Sequence, residues 1–394
     1  MASEHARHWR LDPGVVFLNH GSFGACPAVV LEEQVRLRER MEAEPVRFFV
    51  RELPRLLDGA REALAAFVGA APSDLAFVKN ATTGVNAVLR SLSFGPGDEL
   101  LTTDHEYNAC RNALEFVARR TGARVVVAPV PFPLAREAQV LEALTARASP
   151  RTRLLLVDAI TSQTGLVFPL ARIVEEFNAR GVDVLVDGAH APGMIPLDLN
   201  RLGAAYFTGN CHKWLCAPKG AALLWVRPDR QAGLHPLAIS HGFNAPQGAR
   251  SQFQVEFDWT GTDDPSAFLC VPAALQFLSG LLPGGVLELM RRNRDLALQG
   301  RRILCSSLKV APPAPEAMIG SLASVPLPDG SSDPPKTPLY QDPLQDRLVA
   351  EHHIEVPVIP WPWPPKRLLR ISSQIYNTLE QIQFLSDCLG AILR

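Results

Sequence analysis

The chain has 394 residues, 47% of them hydrophobic and 20% charged, with 39 basic side chains against 40 acidic for a net charge of −1. That length allows two or three domains around a large core, and that composition leaves no room for wholesale disorder. There is no basic excess of the kind that nucleic-acid binding by counterion release needs, and no apolar run nears the ~20 residues of a membrane-spanning helix.

Residues 1–10 are polar and carry no apolar signal-peptide segment, so the expectation is a cytoplasmic protein without membrane or nucleic-acid partners. Helical spacing of Leu56, Leu57, Ala60, Leu64 and Phe67 predicts a helix over 54–68. A strand over 75–78 leads into a helix over 83–92, with Asn80 or Thr82 as its cap. Strands are then expected at 99–103, 124–130, 153–158, 182–187, 204–208 and 221–226, with helices at 107–120, 137–148 and 169–180 between them. Short strands apolar on both faces and separated by helices indicate a largely parallel sheet covered on both sides. The last pair is close enough in sequence to be antiparallel. After residue 310 prolines interrupt the pattern, and strand, helix, strand, helix at 318–325, 344–352, 367–372 and 379–393 suggest a small α+β unit. The Pro-rich piece 357–365, with Trp361 and Trp363, reads as a loop packed on another part of the protein.

Seven cysteines are scattered with no C-x-x-C pair, which fits a reduced compartment and neither a disulfide framework nor a zinc site. Of the basic residues only six are lysines, so chemistry that needs an amine has few candidates.

In an open parallel sheet, ligands sit beyond the carboxyl ends of the strands. Asp187 ends one strand and, desolvated there, needs a cationic partner, unless it merely caps the next turn. Lys213 follows the strand at 204–208, flanked by Trp214 and Leu215; apolar company favours an unprotonated amine, a nucleophile for an aldehyde. Asn80-Ala-Thr-Thr-Gly84 opens a helix with free backbone N–H groups, the way a phosphate is held, and reads equally as a plain helix cap. His105, just past a strand, is either a structural histidine or one that stacks on a flat ring. Together these describe a phosphate cradle, a stacking residue, a carboxylate and an amine, the four requirements of pyridoxal 5′-phosphate. Neither a G-x-x-x-x-G-K-[ST] loop nor a G-x-G-x-x-G turn is present, which argues against nucleoside triphosphate and dinucleotide sites.

The segments Leu18-Asn-His-Gly-Ser-Phe-Gly24, Val186-Asp-Gly-Ala-His-Ala-Pro-Gly193, His212-Lys-Trp-Leu215 and Leu369-Arg-Ile-Ser372 resemble the class V aminotransferase family, and within it the isopenicillin N epimerase-like branch. The resemblance implies fold type I: α/β, with a large domain built on a mostly parallel seven-stranded sheet (18–290), a smaller α+β domain (1–17 and 291–394), and a homodimer. It implies that Lys213 forms the imine with the cofactor aldehyde, that Asp187 partners the pyridine nitrogen and that His105 stacks on the ring. His190 and Ser162 match positions near the phenolic oxygen. Thr83, Gly84, Asn210 and His212 match phosphate contacts, and Thr262 one donated by the other subunit. Arg370 matches the arginine that fixes the substrate α-carboxylate, and Asn19 and His20 stand with it as substrate contacts.

The activity so implied starts from an amino acid bound as an imine and a carbanion at Cα, with an epimerase first, and a C–S lyase or an aminotransferase as alternatives. Epimerisation needs a second acid–base group, for which Tyr107 and His20 are candidates. A cysteine desulfurase is disfavoured, because that family carries a nucleophilic cysteine before the substrate arginine and residues 352–366 contain none. A non-catalytic protein of this fold would have no need of Lys213, Asp187 and Arg370 together.

Overall fold

The computed structural model describes residues 3–246, 248, 250–332, 337, 339 and 342–393; Pro334, Pro335 and Pro338 of the Pro-rich stretch lie outside them. The first sheet is built from Leu75–Val78 (β1), Glu99–Thr103 (β2), Arg124–Ala128 (β3), Thr152–Asp158 (β4), Asp183–Asp187 (β5), Tyr206–Asn210 (β6) and Ala222–Val226 (β7). Its order is β1-β7-β6-β5-β4-β2-β3, seven strands. The pairs among β2 to β6 are parallel, and β7 runs antiparallel to both of its neighbours. The expected mostly parallel sheet is therefore present, including the antiparallel close of β6 and β7.

Apolar residues on the two faces of this sheet enter two separate clusters, Leu155, Val157, Val184 and Val186 on one side and Leu154, Leu156, Leu185 and Leu224 on the other. The helices that cover them include Ala28–Ala43 (α1), Leu53–Val68 (α2), Ala81–Ser91 (α3), Asn108–Thr121 (α4) and Leu170–Ala179 (α5). β6 lies two residues later than the hydrophobic pattern indicates. Its tail Gly209–Asn210 pairs with Leu223 and Ala222, which brings Asn210 into the sheet and leaves His212 and Lys213 just beyond its end.

The second sheet has three antiparallel strands, Leu322–Leu327 (β8), Val358–Pro360 (β9) and Arg367–Ser372 (β10), in the order β9-β10-β8. Prolines mislead the sequence reading here. Pro326 and Pro360 sit inside β8 and β9, both edge strands, where a missing N–H donor is tolerated. Gly285–Leu308 (α6) and Leu379–Ile392 (α7) pack beside this sheet, and their apolar residues join those of β8 and β10 in one cluster that also takes in Leu18. The N-terminal segment is stitched to β10, with the Ser372 N–H donating to the Leu18 carbonyl at 2.9 Å. The loop after β9 does pack, but only in part: Trp361 is buried and Trp363 exposed. Among the described residues no single helix is long and apolar enough to cross a membrane.

One glycine is fixed by close approach. A Cβ on Gly84, in the first turn of α3, would stand 2.2 Å from Thr208 Oγ1 on β6. Gly84→Ala gains about 1 kcal/mol of helix propensity but forces apart a helix and strand in a close-packed interior, at about 1–3 kcal/mol. The net expected result is a lower urea midpoint; an unchanged midpoint would show that Thr208 can swing aside.

Candidate active site

Three neighbouring strand ends meet at one place. Asp158 on β4 pairs with Asp187 on β5, and Asp187 with Thr208 on β6. Asp187 Oδ1 accepts the Ala189 N–H at 2.9 Å, and Oδ2 accepts the Cys110 thiol of α4 at 3.0 Å. No Lys or Arg nitrogen lies within ion-pairing distance of this carboxylate among the described residues. Burial pushes its pKa up, against the pull of Cys110, Ala189 and Lys213. Behind it, Glu106 and Asp158 are buried too, and burial holds both well above the carboxylate range. One oxygen of each, Glu106 Oε1 and Asp158 Oδ2, has no hydrogen-bond partner. A pocket with three buried carboxyls and no bonded cation suits a group that arrives carrying positive charge.

Lys213 is partly buried, and its pKa is lowered to about 7, first by desolvation and then by the Arg370 charge, with Asp187 opposing. Its Nζ lies 3.1 Å from His190 Nε2, while the Trp214 indole N–H donates to His190 Nδ1 at 3.3 Å. Two motifs far apart in sequence, Asp187-Gly-Ala-His190 and His212-Lys-Trp214, thus close on each other.

Arg370 is 3% exposed and faces no carboxylate among the described residues. Nη1 donates to the Ser162 carbonyl at 2.5 Å and to Ser162 Oγ at 3.3 Å, Nη2 donates to Ser22 Oγ at 3.1 Å, and Nε has no partner. Desolvation lowers its pKa to about 10. Buried guanidinium groups are normally paired with anions; here only neutral oxygens hold the group, so an anion is missing from it. Ser162, expected beside the cofactor oxygen, instead supports this arginine. Ser22 is in turn bonded to Asn19 Oδ1 at 2.5 Å, whose amide donates to Glu355 Oε1 at 3.0 Å. Asn19 therefore reaches Arg370 through Ser22.

His20 departs from its expected role as a substrate contact. It is fully buried, its Nδ1 meets the Tyr376 hydroxyl at 2.8 Å and its Nε2 the Lys213 carbonyl at 3.0 Å. Both ring nitrogens are used, and the residue holds the lysine's backbone. His105 is likewise pinned, Nε2 on the Val130 carbonyl at 3.0 Å and Nδ1 on Thr164 Oγ1 at 2.8 Å. Its ring centroid is 4.4 Å from that of Trp361.

At the start of α3, Asn80 caps the helix by accepting the Thr83 N–H at 2.8 Å and the Thr83 hydroxyl at 3.1 Å. The Ala81 N–H goes to Asn210 Oδ1 at 2.8 Å, and the Gly84 N–H to the Asn80 carbonyl. Gly84 and Asn210 thus lock the helix to the sheet, by small size and by side-chain oxygen, and Thr82 is left with an N–H that no described group accepts. His212 Nδ1 donates to the Ala221 carbonyl at 3.1 Å, and burial lowers its pKa to about 4, which keeps it neutral. Thr262 is exposed on a turn.

Sequence reasoning missed Ser22, Cys110, Glu106, Asp158 and the polar use of Trp214. Ser22 stands inside the Asn-His-Gly-Ser motif, and Asp158 ends a buried strand as Asp187 does, so both had a signal. The others depend on contacts across the fold. All seven cysteines are free and buried.

The comparisons agree with this geometry. Isopenicillin N epimerase of Streptomyces clavuligerus is 36% identical over 97% of this chain and 96% of its own length. That of Amycolatopsis lactamdurans is 39% identical over 96% and 95%. A probable chloroplastic L-cysteine desulfhydrase of Arabidopsis thaliana is 29% identical over 100% and 85%. Among solved structures, a lysine-to-alanine mutant of C-DES with glycine covalently linked to its PLP cofactor superposes with a TM-score of 0.82 at 24% identity, covering 98% of this chain and 99% of that one. The cysteine desulfurase CsdA of Escherichia coli gives 0.77 at 20% identity over 99% and 98%. These likenesses show fold type I, and the class V aminotransferase model matches residues 17–385. From the strand ends to the motifs that meet there, the chain belongs to the class V aminotransferase family.

Proposed function

We propose that this enzyme binds pyridoxal 5′-phosphate at Lys213 and epimerises an amino acid at Cα, as its isopenicillin N epimerase relatives are named for doing. One observation carries the reading: a partly buried amine of lowered pKa shares a site with a buried carboxylate lacking a cation and a buried guanidinium lacking an anion. The cofactor ring nitrogen and the substrate carboxylate have the charges that these two groups lack.

When bound, the cofactor supplies an aldehyde that takes the substrate amine and a ring that delocalises negative charge from Cα. Asp187 holds the proton on the ring nitrogen. Arg370 grips the α-carboxylate and so sets which bond at Cα is broken. Lys213, about half neutral at pH 7 and more so above it, takes the Cα proton, and the His190 Nε2–H supplies a donor beside it. The start of α3, through Thr82 and Thr83, together with His212, serves the phosphate, and His105 flanks the ring. Thr262 reaches the same phosphate from a second subunit of a homodimer. Return of a proton to the other face falls to Tyr107, since His20 has no free nitrogen; Tyr107 is 41% exposed, and its pKa is raised by burial and the nearby Cys110 and Asp187, with Arg370 opposing. The large unit spans 18–290 and the smaller one 1–17 with 291–394, a division supported by the separate apolar cluster of β8, β10, α6 and α7. Seven free thiols fit a reducing, cytoplasmic setting.

The test is reduction of the purified protein with borohydride, followed by peptide mapping. A phosphopyridoxyl group on Lys213 is expected; one on Lys219 overturns the assignment. Incubating candidate amino acids in deuterated water then reads the reaction, with label at Cα in a product of inverted configuration expected, and pyruvate or sulfide indicating elimination instead.

A further inference from the structure

His190 sits between Trp214 and Lys213; it and the tryptophan are buried, and the lysine is partly buried. An indole nitrogen can only donate a hydrogen bond. At 3.3 Å from the Trp214 indole, His190 Nδ1 must therefore present a lone pair. A neutral imidazole with a lone pair on Nδ1 carries its proton on Nε2, the atom 3.1 Å from Lys213 Nζ. A second proton is opposed first by burial and then by the Lys213 and Arg370 charges facing the ring. The Nε2–H then points at the amine, and a donor there is compatible with a neutral amine and in conflict with an ammonium. The other tautomer reverses the arrangement: Nδ1–H would oppose the indole N–H, and the Nε2 lone pair would draw an ammonium.

The indole is itself held in place. A Cβ on Gly193, at φ +87°, would lie 2.5 Å from the Trp214 carbonyl, so the chain at 193 passes directly over the residue. The His20 ring lies 4.9 Å away, centroid to centroid, and Gly21 leaves room where its Cβ would be 3.5 Å from Trp214 Cζ2.

We propose that Trp214 is a positioning residue: its indole N–H fixes His190 as the Nε2-protonated tautomer, and this sets the Lys213 amine in its neutral, imine-forming state. The proposal rests on the assignment of Lys213 as the cofactor lysine. Besides His190, the charged and titratable groups around that amine are Arg370, Asp187, Asp158, Cys110, His212 and His20, and substitution of Trp214 removes none of them.

Two measurements test it. In protein labelled with ¹⁵N-histidine, with the His190 signal identified by its loss in His190→Gln, the Nε2-protonated form is expected across neutral pH. An Nδ1-protonated or doubly protonated His190 overturns the proposal, and this measurement needs no change at position 214. In Trp214→Phe, the rate at which cofactor-stripped protein captures pyridoxal phosphate, read by absorbance against pH, is expected to shift to the alkaline side. From a Lys213 pKa of about 7, a shift of about one unit gives about fivefold slower capture at pH 7 and about tenfold at pH 6, and the rates converge above pH 9. An equal loss at every pH, the mark of packing damage, or no loss at all, overturns it. Borohydride labelling elsewhere than Lys213 removes the cofactor assignment, while the histidine spectrum still reports the tautomer.

Discussion

Lys213→Ala is expected to lower turnover by at least about 10³-fold, within the range for loss of a positioned acid–base group, and to leave no borohydride-stable label. The argument lies in the charge state. A partly buried lysine whose pKa is lowered to about 7 is half neutral at that pH and largely neutral a unit above it, and a neutral amine is required both for attack on an aldehyde and for removal of a Cα proton. The fold has little reason to keep it, because an amine in this position is desolvated and bonded only to His190. Stability is therefore expected to change little, which a melting curve checks beside the kinetics. A variant that keeps a tenth of the activity would remove Lys213 from the chemistry.

Arg370→Ala is expected to raise KM for an amino acid substrate by about a hundredfold or more, the cost of leaving one member of a buried charge pair without its partner, with cofactor capture intact at high pH, where Lys213 is neutral with or without Arg370. Ser22 and Ser162 satisfy part of the guanidinium but bring no negative charge. Arg370→Lys restores a point charge without the two-pronged fork and recovers only part of the loss. A second effect has a definite sign. Arg370 lowers the Lys213 pKa, so removing it raises that pKa, and the acid limb of the pH–rate profile moves to higher pH. Unchanged KM together with an unmoved profile would take Arg370 out of the site.

Most of the first sheet was legible because its strands are apolar on both faces and lie between helices with clear periodicity, as 152–158 and 183–187 show. The second sheet was harder. Pro326 and Pro360 read as breaks, and only the pairing shows that both occupy edge strands. α1 gave little signal, since just Val30, Gln34 and Leu37 of its sixteen residues are buried. In the site, the residues whose chemistry is local to a strand end, Asp187 and Lys213, stand out in sequence. Those whose meaning depends on a distant neighbour do not. Gly84 looks like part of a phosphate loop until Thr208 is seen against it, and His20 looks like a free imidazole until Tyr376 and the Lys213 carbonyl take its nitrogens.

The burial of every cysteine has a consequence for handling the protein. Desolvation raises the thiol pKa to about 12 at Cys26, Cys211 and Cys270, so almost no thiolate exists on the native molecule at physiological pH. Intermolecular sulfur bridges can then begin only from chains that have opened, and crosslinked material in an ageing preparation counts misfolded molecules, leaving the native population untouched by air.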